Sequence, residues 1–211
     1  MVQYGYHTFS WREHLVKNLL KIGLTFILIT LMTACSIIPS DKVKIVTTKL
    51  NENESNLLKL MGCDNSRIYD FELDKTGKSV QIKSYTLDEN NQWKQGMSQF
   101  GNMSGKSGKV SIWFVGQNKD LRIGFQDNEG VESVISNAEE ESSTKYLSGA
   151  ISWAETADIE YEKEIPLAIQ IETNKNAIRT FGVDSFHDIE SLKEFEKVTA
   201  VTITFSTNEV E

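Results

Sequence analysis

Three groupings of carboxylates are the residues of this chain that could do acid–base chemistry. They lie at residues 88–90 ("DEN"), 138–141 ("AEEE") and 158–164 ("DIEYEKE"). A glycosidase needs two carboxylates about 5 to 10 Å apart around the sugar, and a sequence does not give that spacing. Charge runs on small β domains usually form solvated turns and faces. We therefore predict surface roles for all three groupings, with an envelope hydrolase that uses paired carboxylates on a glycan as the alternative.

The count of histidines excludes several classes of enzyme. His7 and His14 lie in the first 34 residues, so only His187 remains in the rest of the chain. A catalytic zinc site usually takes two or three histidines, and a Ser-His-Asp triad would depend on His187 alone. The sequence also lacks a calcium-binding loop, a phosphate-binding glycine loop and a nucleophile elbow. We predict a protein that is not an enzyme, with no catalytic residue, metal ligand or cofactor, and with His187 as a solvated helix residue.

An uncharged apolar segment near the start predicts export. Residues 22–40 carry no charge and follow the basic residues Arg12, Lys17 and Lys21. The apolar part, residues 22–34, is shorter than the roughly 20 residues of a membrane span and fits the core of a signal peptide, with positive charge before it. The true start of translation lies near Val16 in our interpretation, because Val16 and Lys17 would begin a more ordinary leader.

The segment ends in "MTAC", residues 32–35, in which small Thr33 and Ala34 precede Cys35. This stretch resembles the lipobox of bacterial lipoprotein precursors, although Met32 stands where leucine is usual. The resemblance covers the leader only. It implies that the thiol of Cys35 receives a diacylglyceryl group and that cleavage occurs between Ala34 and Cys35, which places the protein in the cell membrane, facing outside the cytoplasm. A cysteine inside an uncleaved single-span anchor is the alternative.

The composition of the chain after residue 34 bounds its partners. Removing the leader takes away three basic residues and one acidic residue, so the formal charge falls from −8 to near −10. A protein with this negative charge binds nucleic acid poorly and is repelled by anionic lipid headgroups. The lipid would then have to hold the protein to the bilayer, at about 0.8 kcal/mol per buried CH₂. Cys63 would be the only other thiol, and we predict that it is a small buried or turn residue.

Alternation of apolar and polar residues predicts a mainly β chain. Residues 35–42 read as a short tether, and residues 43–211 as a single β-rich domain. We predict residues 68–74 and 79–88 to pair as one hairpin, 110–116 and 121–127 to pair as a second, and residues 95–109 to be a flexible loop. Further strands are predicted at residues 43–50, 149–156, 164–173 and 199–205, and Pro166 suggests an edge position for its strand.

Two segments have helical spacing. Residues 53–62 place Leu57, Leu58 and Met61 on one side of a short helix, and residues 185–198 predict a longer helix that begins with the cap pair Ser185 and Asp188. The fold class predicted is an antiparallel β-sandwich or curled sheet with one or two short helices, and α+β is the second choice.

Three tryptophans after the leader could form a stacking platform for a wall sugar. They are Trp93, Trp113 and Trp153. Burial is the favoured interpretation for Trp113, because Val115 shares its side of the strand. The sequence thus predicts a surface lipoprotein with a non-catalytic domain that binds or scaffolds an envelope protein or glycan.

Overall fold

A computed structural model describes residues 43–115, 120–136, 146, 148–176, 178 and 181–210. The predicted signal peptide, Cys35, the tether at 35–42 and the carboxylate grouping at 138–141 lie outside the described residues. Within the described part, the segment Lys42–Glu211 forms one compact unit.

The described chain is built from antiparallel strands in two sheets. The six-stranded sheet has the order β7-β6-β5-β2-β1-β9 and the five-stranded sheet the order β4-β3-β11-β10-β8. The predicted mainly β, sandwich-like fold is confirmed. The strands are β1 (Lys44–Thr47), β2 (Ser66–Glu72), β3 (Ser79–Leu87), β4 (Trp93–Asn102), β5 (Ser107–Val115), β6 (Asp120–Gln126), β7 (Val131–Ser136), β8 (Ser148–Trp153), β9 (Thr156–Asp158), β10 (Glu164–Thr173) and β11 (Lys197–Ser206).

Apolar side chains from both sheets meet in one core. The rings of Phe71 on β2 and Phe205 on β11 lie with centroids 4.9 Å apart. The hydroxyl of Tyr69, also on β2, donates a hydrogen bond to the carbonyl oxygen of Leu167 on β10 at 2.9 Å. Both side chains from β2 are buried, so the strand alternation of the sequence corresponds to an inner and an outer face of each sheet.

The hairpin predicted from residues 68–74 and 79–88 is wrong. β2 pairs with β1 and β5, whereas β3 pairs with β4 and β11 in the other sheet. The residues between β2 and β3 therefore cross from one sheet to the other. A period of two decides which face of a strand is buried but not which strand lies beside it. The hairpin of 110–116 and 121–127 is confirmed, since Ile112 on β5 pairs with Ile123 on β6.

The flexible loop predicted at residues 95–109 is also wrong. β4 extends through residue 102 and β5 begins at Ser107. β4 is the last strand of its sheet, and most of its side chains are exposed or half-buried. An edge strand needs few apolar residues. A segment rich in glycine and serine, which suggests a loop in the sequence, can therefore still pair with β3 as β4 does. Neither β7 nor β9 is predicted from the sequence.

The edge position suggested by Pro166 is wrong. β10 lies between β11 and β8, and its pairing with β11 skips from Pro166 to Ala168. Proline has no N–H to donate, and such a bulge lets it occupy an inner strand. The predicted strands at 149–156, 164–173 and 199–205 correspond to β8, β10 and β11, and the one at 43–50 is shorter, as β1.

The long helix predicted at residues 185–198 does not form. The chain makes two 3₁₀ turns, Val183–Phe186 and Ile189–Ser191, and Asp188 has the non-helical angles φ −118° and ψ 78°. Its apolar residues still share one side, because Phe186, Leu192 and Phe195 pack on the outer face of the five-stranded sheet. The contact with the sheet, rather than helical periodicity, sets the path of this segment.

The short helix predicted at 53–62 is confirmed as α1, Glu52–Leu60. Asn51 caps it: the Asn51 side chain accepts from the N–H of Glu54, and the Glu54 carboxylate accepts from the N–H of Asn51. None of its residues is buried. Among the described residues, no helix is both long enough and apolar enough to cross a membrane.

Candidate functional site

One side of the sandwich is closed by the backbone. β8 continues into β9 through Ala154 and Glu155, and this connection crosses from the five-stranded to the six-stranded sheet. The N–H of Ala154 donates to the carbonyl of Leu167 at 2.9 Å, and the carbonyl of Glu155 accepts from the N–H of Thr47 at 2.9 Å. The chain therefore seals the core on this side.

At the opposite side of the sandwich, β4 and β7 do not pair with each other within the described residues. β4 and β7 are the end strands of their sheets, and the six-stranded sheet has one strand more than the five-stranded sheet. A shallow crevice with an enclosed volume of about 10 Å³, roughly enough for one water molecule, lies here, and we name it the β4–β7 crevice. Its lining residues are Val80, Ile82, Gln99, Phe100, Gly101, Phe125 and Glu132.

The floor of the β4–β7 crevice is apolar core. Val80 and Ile82 on β3 are buried, as is Phe125 on β6. Gly101 on β4 pairs with Val80, so its position is on the same inner face, and a Cβ added there would meet no atom within 4 Å. The absence of a side chain at Gly101 therefore leaves open space beside the core, while Val80, Ile82 and Phe125 themselves stay buried.

An amide oxygen without a partner lies in the crevice. Gln99 pairs with Ile82 and therefore points to the inner face of its sheet, with 9% of its surface exposed. Its Oε1 atom is buried and has no hydrogen-bond partner among the described residues. A buried acceptor left unpaired typically costs about 1 to 3 kcal/mol. Such an atom indicates a place where a donor from outside the described chain would be favourable.

A carboxylate faces the same space from the other sheet. Glu132 on β7 pairs with Phe125, so it lies on the inner face of the six-stranded sheet. Its side chain is exposed at the mouth of the crevice. The β4–β7 crevice thus combines apolar walls with two acceptors, one neutral and one negatively charged.

The described carboxylate groupings have structural roles. The Asp88 side chain closes its turn by accepting from the N–H groups of Asn90 at 2.9 Å and Gln92 at 2.8 Å. In the grouping at 158–164, Glu162 accepts from the hydroxyl of Ser206 at 2.7 Å and from the N–H of Thr207 at 3.0 Å. These hydrogen bonds lower the pKa of the Glu162 carboxyl.

The last carboxylate of that grouping is bound to two hydroxyls. Glu164 accepts from the hydroxyl of Tyr85 at 2.6 Å and from that of Thr202 at 2.7 Å. Burial, and then the contact with Glu164, raise the pKa of Tyr85. The surface turn predicted at 88–90 is confirmed, and within the described ranges His, Cys, Asp and Glu nowhere gather in the groups of three or more that could hold a metal ion.

The three tryptophans do not form one platform. Trp93 donates from Nε1 to the carbonyl of Phe186 at 3.0 Å, and Trp153 packs on Phe114 with ring centroids 5.7 Å apart. The preferred burial of Trp113 is wrong: it is half-buried on the outer face of the six-stranded sheet, with the guanidinium of Arg122 4.9 Å above its ring. The indole Nε1 of Trp113 is nevertheless buried, and it has no hydrogen-bond partner among the described residues.

His187 and Cys63 carry no visible chemistry. His187 is exposed, as predicted, but lies in a turn rather than in a helix. Cys63 is 7% exposed, which confirms that it is a buried residue. Burial raises the pKa of its thiol against the lowering effect of Arg122, so the thiol stays neutral and weakly nucleophilic.

The residues of the crevice are missed by sequence reasoning. Gln99 and Gly101 fall in the segment predicted as a loop, and Glu132 in one with no predicted element. Met97, Gln99 and Gly101 share one face of β4. Their spacing indicates a common site only once residues 93–102 are known to form a strand.

The fold and the crevice define a class: an antiparallel two-sheet sandwich domain, closed on one side by its own chain, with two end strands on the other side that do not pair with each other within the described residues. The chain belongs to the YgaN family, because the model of the YgaN domain matches residues 44–205. The match runs from the first described strand to the last. No curated protein and no solved structure matches the chain.

Proposed function

We propose that this protein is a surface lipoprotein of the cell membrane whose sandwich domain binds another envelope component without catalysing a reaction. The diacylglyceryl group on Cys35 is the anchor, and the domain faces outside the cytoplasm. The observation that carries the proposal is the "MTAC" stretch after a short, uncharged apolar segment with a basic flank.

The described site supports binding rather than hydrolysis. Glu162 and Glu164 are held by hydrogen bonds that stabilise turns and strand ends. The β4–β7 crevice presents one carboxylate, Glu132, whereas a glycosidase places two on either side of the scissile bond. The crevice is too small to enclose a ligand, but it places acceptors at fixed positions beside an apolar core, where they can orient a group that binds at its mouth.

The anchor is tested by the mass of the N-terminal peptide. The protein is extracted from membranes of its native host, alongside the variants Cys35→Ala and Cys63→Ala. We expect a peptide that begins at Cys35 and carries a diacylglyceryl mass, present in Cys63→Ala and lost in Cys35→Ala. Cys63→Ala is the matched control because it removes the other thiol.

The same experiment distinguishes the alternatives. An intact N-terminus that continues through Ile37 without added mass would indicate an uncleaved membrane span and would contradict the lipid anchor. A peptide that begins elsewhere without lipid would indicate a secreted protein instead.

A further inference from the structure

We propose that the β4–β7 crevice binds an extended segment of a partner protein that carries a lysine or arginine. The segment pairs with the free edge of β4 and places its basic side chain across the mouth of the crevice, beside Glu132. The inference deepens the proposed binding function and rests on it, but not on the lipid anchor, which is tested separately by peptide mass.

The edge of β4 offers backbone groups to an added strand. β4 has ten residues and, among the described strands, pairs with β3 alone, so one row of its N–H and C=O groups lies at the edge of the described sheet. An extended peptide can add to such an edge through main-chain hydrogen bonds, with side-chain pockets providing specificity. Because the opposite sheet extends one strand further, an added strand would also cover the inner face of β7.

The acceptors at the crevice determine which side chain of an added strand fits there. Alternate residues of an added strand point to the inner face, toward Val80 and Phe125. Gln99 Oε1 and the Glu132 carboxylate are both acceptors, so the incoming group must be a donor, and the carboxylate favours a positive charge. Lysine and arginine combine an apolar stem with a donor-rich cationic end.

Other occupants fit the same space less well. A sugar ring usually lies on a flat, exposed aromatic face. Of the two aromatic residues in the lining, Phe125 is buried, and Phe100 lies on the outer face of its sheet because it alternates with Gln99 and Gly101. An acidic segment would meet Glu132 and a chain of net charge −8. Charge complementarity therefore favours a basic segment of protein.

The test measures binding of labelled peptides to the mature protein in detergent by fluorescence anisotropy. The probe is a seven-residue peptide that alternates threonine and valine around a central arginine. Matched peptides carry leucine or glutamate at the centre. We expect the arginine peptide to bind at least tenfold more tightly than the leucine peptide, and the glutamate peptide more weakly still.

Variants of the protein locate the effect. Glu132→Gln removes the charge from an exposed side chain and should lower the affinity for the arginine peptide about tenfold, with little effect on the leucine peptide. Glu89→Gln makes the same change of charge on the exposed β3–β4 turn and should leave both affinities unchanged. Gly101→Leu places a side chain in the open space of the crevice and should remove the preference for arginine.

Several outcomes would overturn the inference. They are equal affinity for the arginine and leucine peptides, absence of binding, or a Glu132→Gln variant that behaves like Glu89→Gln while its circular dichroism and melting temperature stay those of the parent. Sedimentation that shows dimers dissociated by Gly101→Leu would assign the edge to a second copy of the chain and would also contradict a partner segment.

Discussion

At the scale of single residues, Tyr69 joins the two sheets through the core. Its ring is fully buried on β2 and its hydroxyl reaches the carbonyl of Leu167 on β10 at 2.9 Å. The same carbonyl accepts from the N–H of Ala154, so it keeps one partner if the hydroxyl is removed. The hydrogen bond from Tyr69 therefore helps to fix the orientation of one sheet relative to the other. The Leu167 carbonyl does not depend on it for a hydrogen-bond partner.

Tyr69→Phe should lower the free energy of unfolding by about 1 kcal/mol, because one buried hydrogen bond is lost and no acceptor becomes unpaired. Urea unfolding followed by circular dichroism measures the change. Tyr161→Phe is the matched control: its hydroxyl binds Asp74 near the surface, where water replaces it, and a smaller loss is expected. Equal losses for the two variants would contradict the role given to Tyr69.

Alkaline pH should destabilise the protein through its tyrosines. Burial raises the pKa of Tyr69 and of Tyr85 far above the ordinary value near 10. Above about pH 10 the unfolded chain loses these protons while the folded chain keeps them, so stability falls as pH rises. Unfolding measured from pH 8 to 11 should show this fall, and it should be shallower in Tyr69→Phe; an equal slope would contradict the assignment.

At the scale of elements, the segment after β10 stabilises the five-stranded sheet from outside. Leu192 is fully buried between the second 3₁₀ turn and the outer face of the sheet, in a cluster with Ile171 and Phe195. On α1, in contrast, Leu60 is 86% exposed. The two leucines allow the same substitution to be compared in opposite environments.

Leu192→Ala should lower the free energy of unfolding by about 2 to 5 kcal/mol, since it removes apolar contacts and leaves a cavity. Leu60→Ala should change it by less than about 0.5 kcal/mol. Urea midpoints of both variants check the difference. A neutral Leu192→Ala would mean that the segment does not pack on the sheet as described.

The sequence predicts the strands with strong alternation better than their partners. β10 and β11 are correctly placed because Ile169, Ile171, Val201 and Ile203 alternate over a long run. β4 is not predicted, because an edge strand buries few side chains and its sequence therefore lacks a clear alternation of apolar and polar residues. The helix predicted at 185–198 does not form, because the same spacing of apolar residues also allows an irregular segment to pack against a sheet. The contact with the sheet determines which of the two conformations the segment adopts.

The candidate site is less predictable than the fold. Gln99, Gly101 and Glu132 come from the end strands of two different sheets, and their meeting depends on the order of strands. That order follows from non-local pairing, which residue types in a single strand do not encode. The crevice is therefore a property of the assembled sandwich.

At the scale of the whole molecule, the last strand is a central one. β11 lies between β3 and β10, and it pairs with both over most of its length. A chain that ends at Glu196 should therefore fail to fold, with loss of the β signal in circular dichroism and rapid proteolysis. A chain that ends at Asn208 keeps all of β11 and the acceptor for Ser79, and it should stay folded. Resistance of the shorter chain to protease would contradict this dependence.

The position of β11 also sets the order of events in folding. Ser79 pairs with Ser206 and Lys44 with Asp158, so both sheets depend on contacts between residues more than a hundred positions apart. Proteins dominated by such contacts fold slowly, because a long loop must close before any pairing is gained. The five-stranded sheet cannot be completed before β11, the last of the described strands, is available. Such slow folding is compatible with the export proposed above, because a translocation pore admits only unfolded polypeptide.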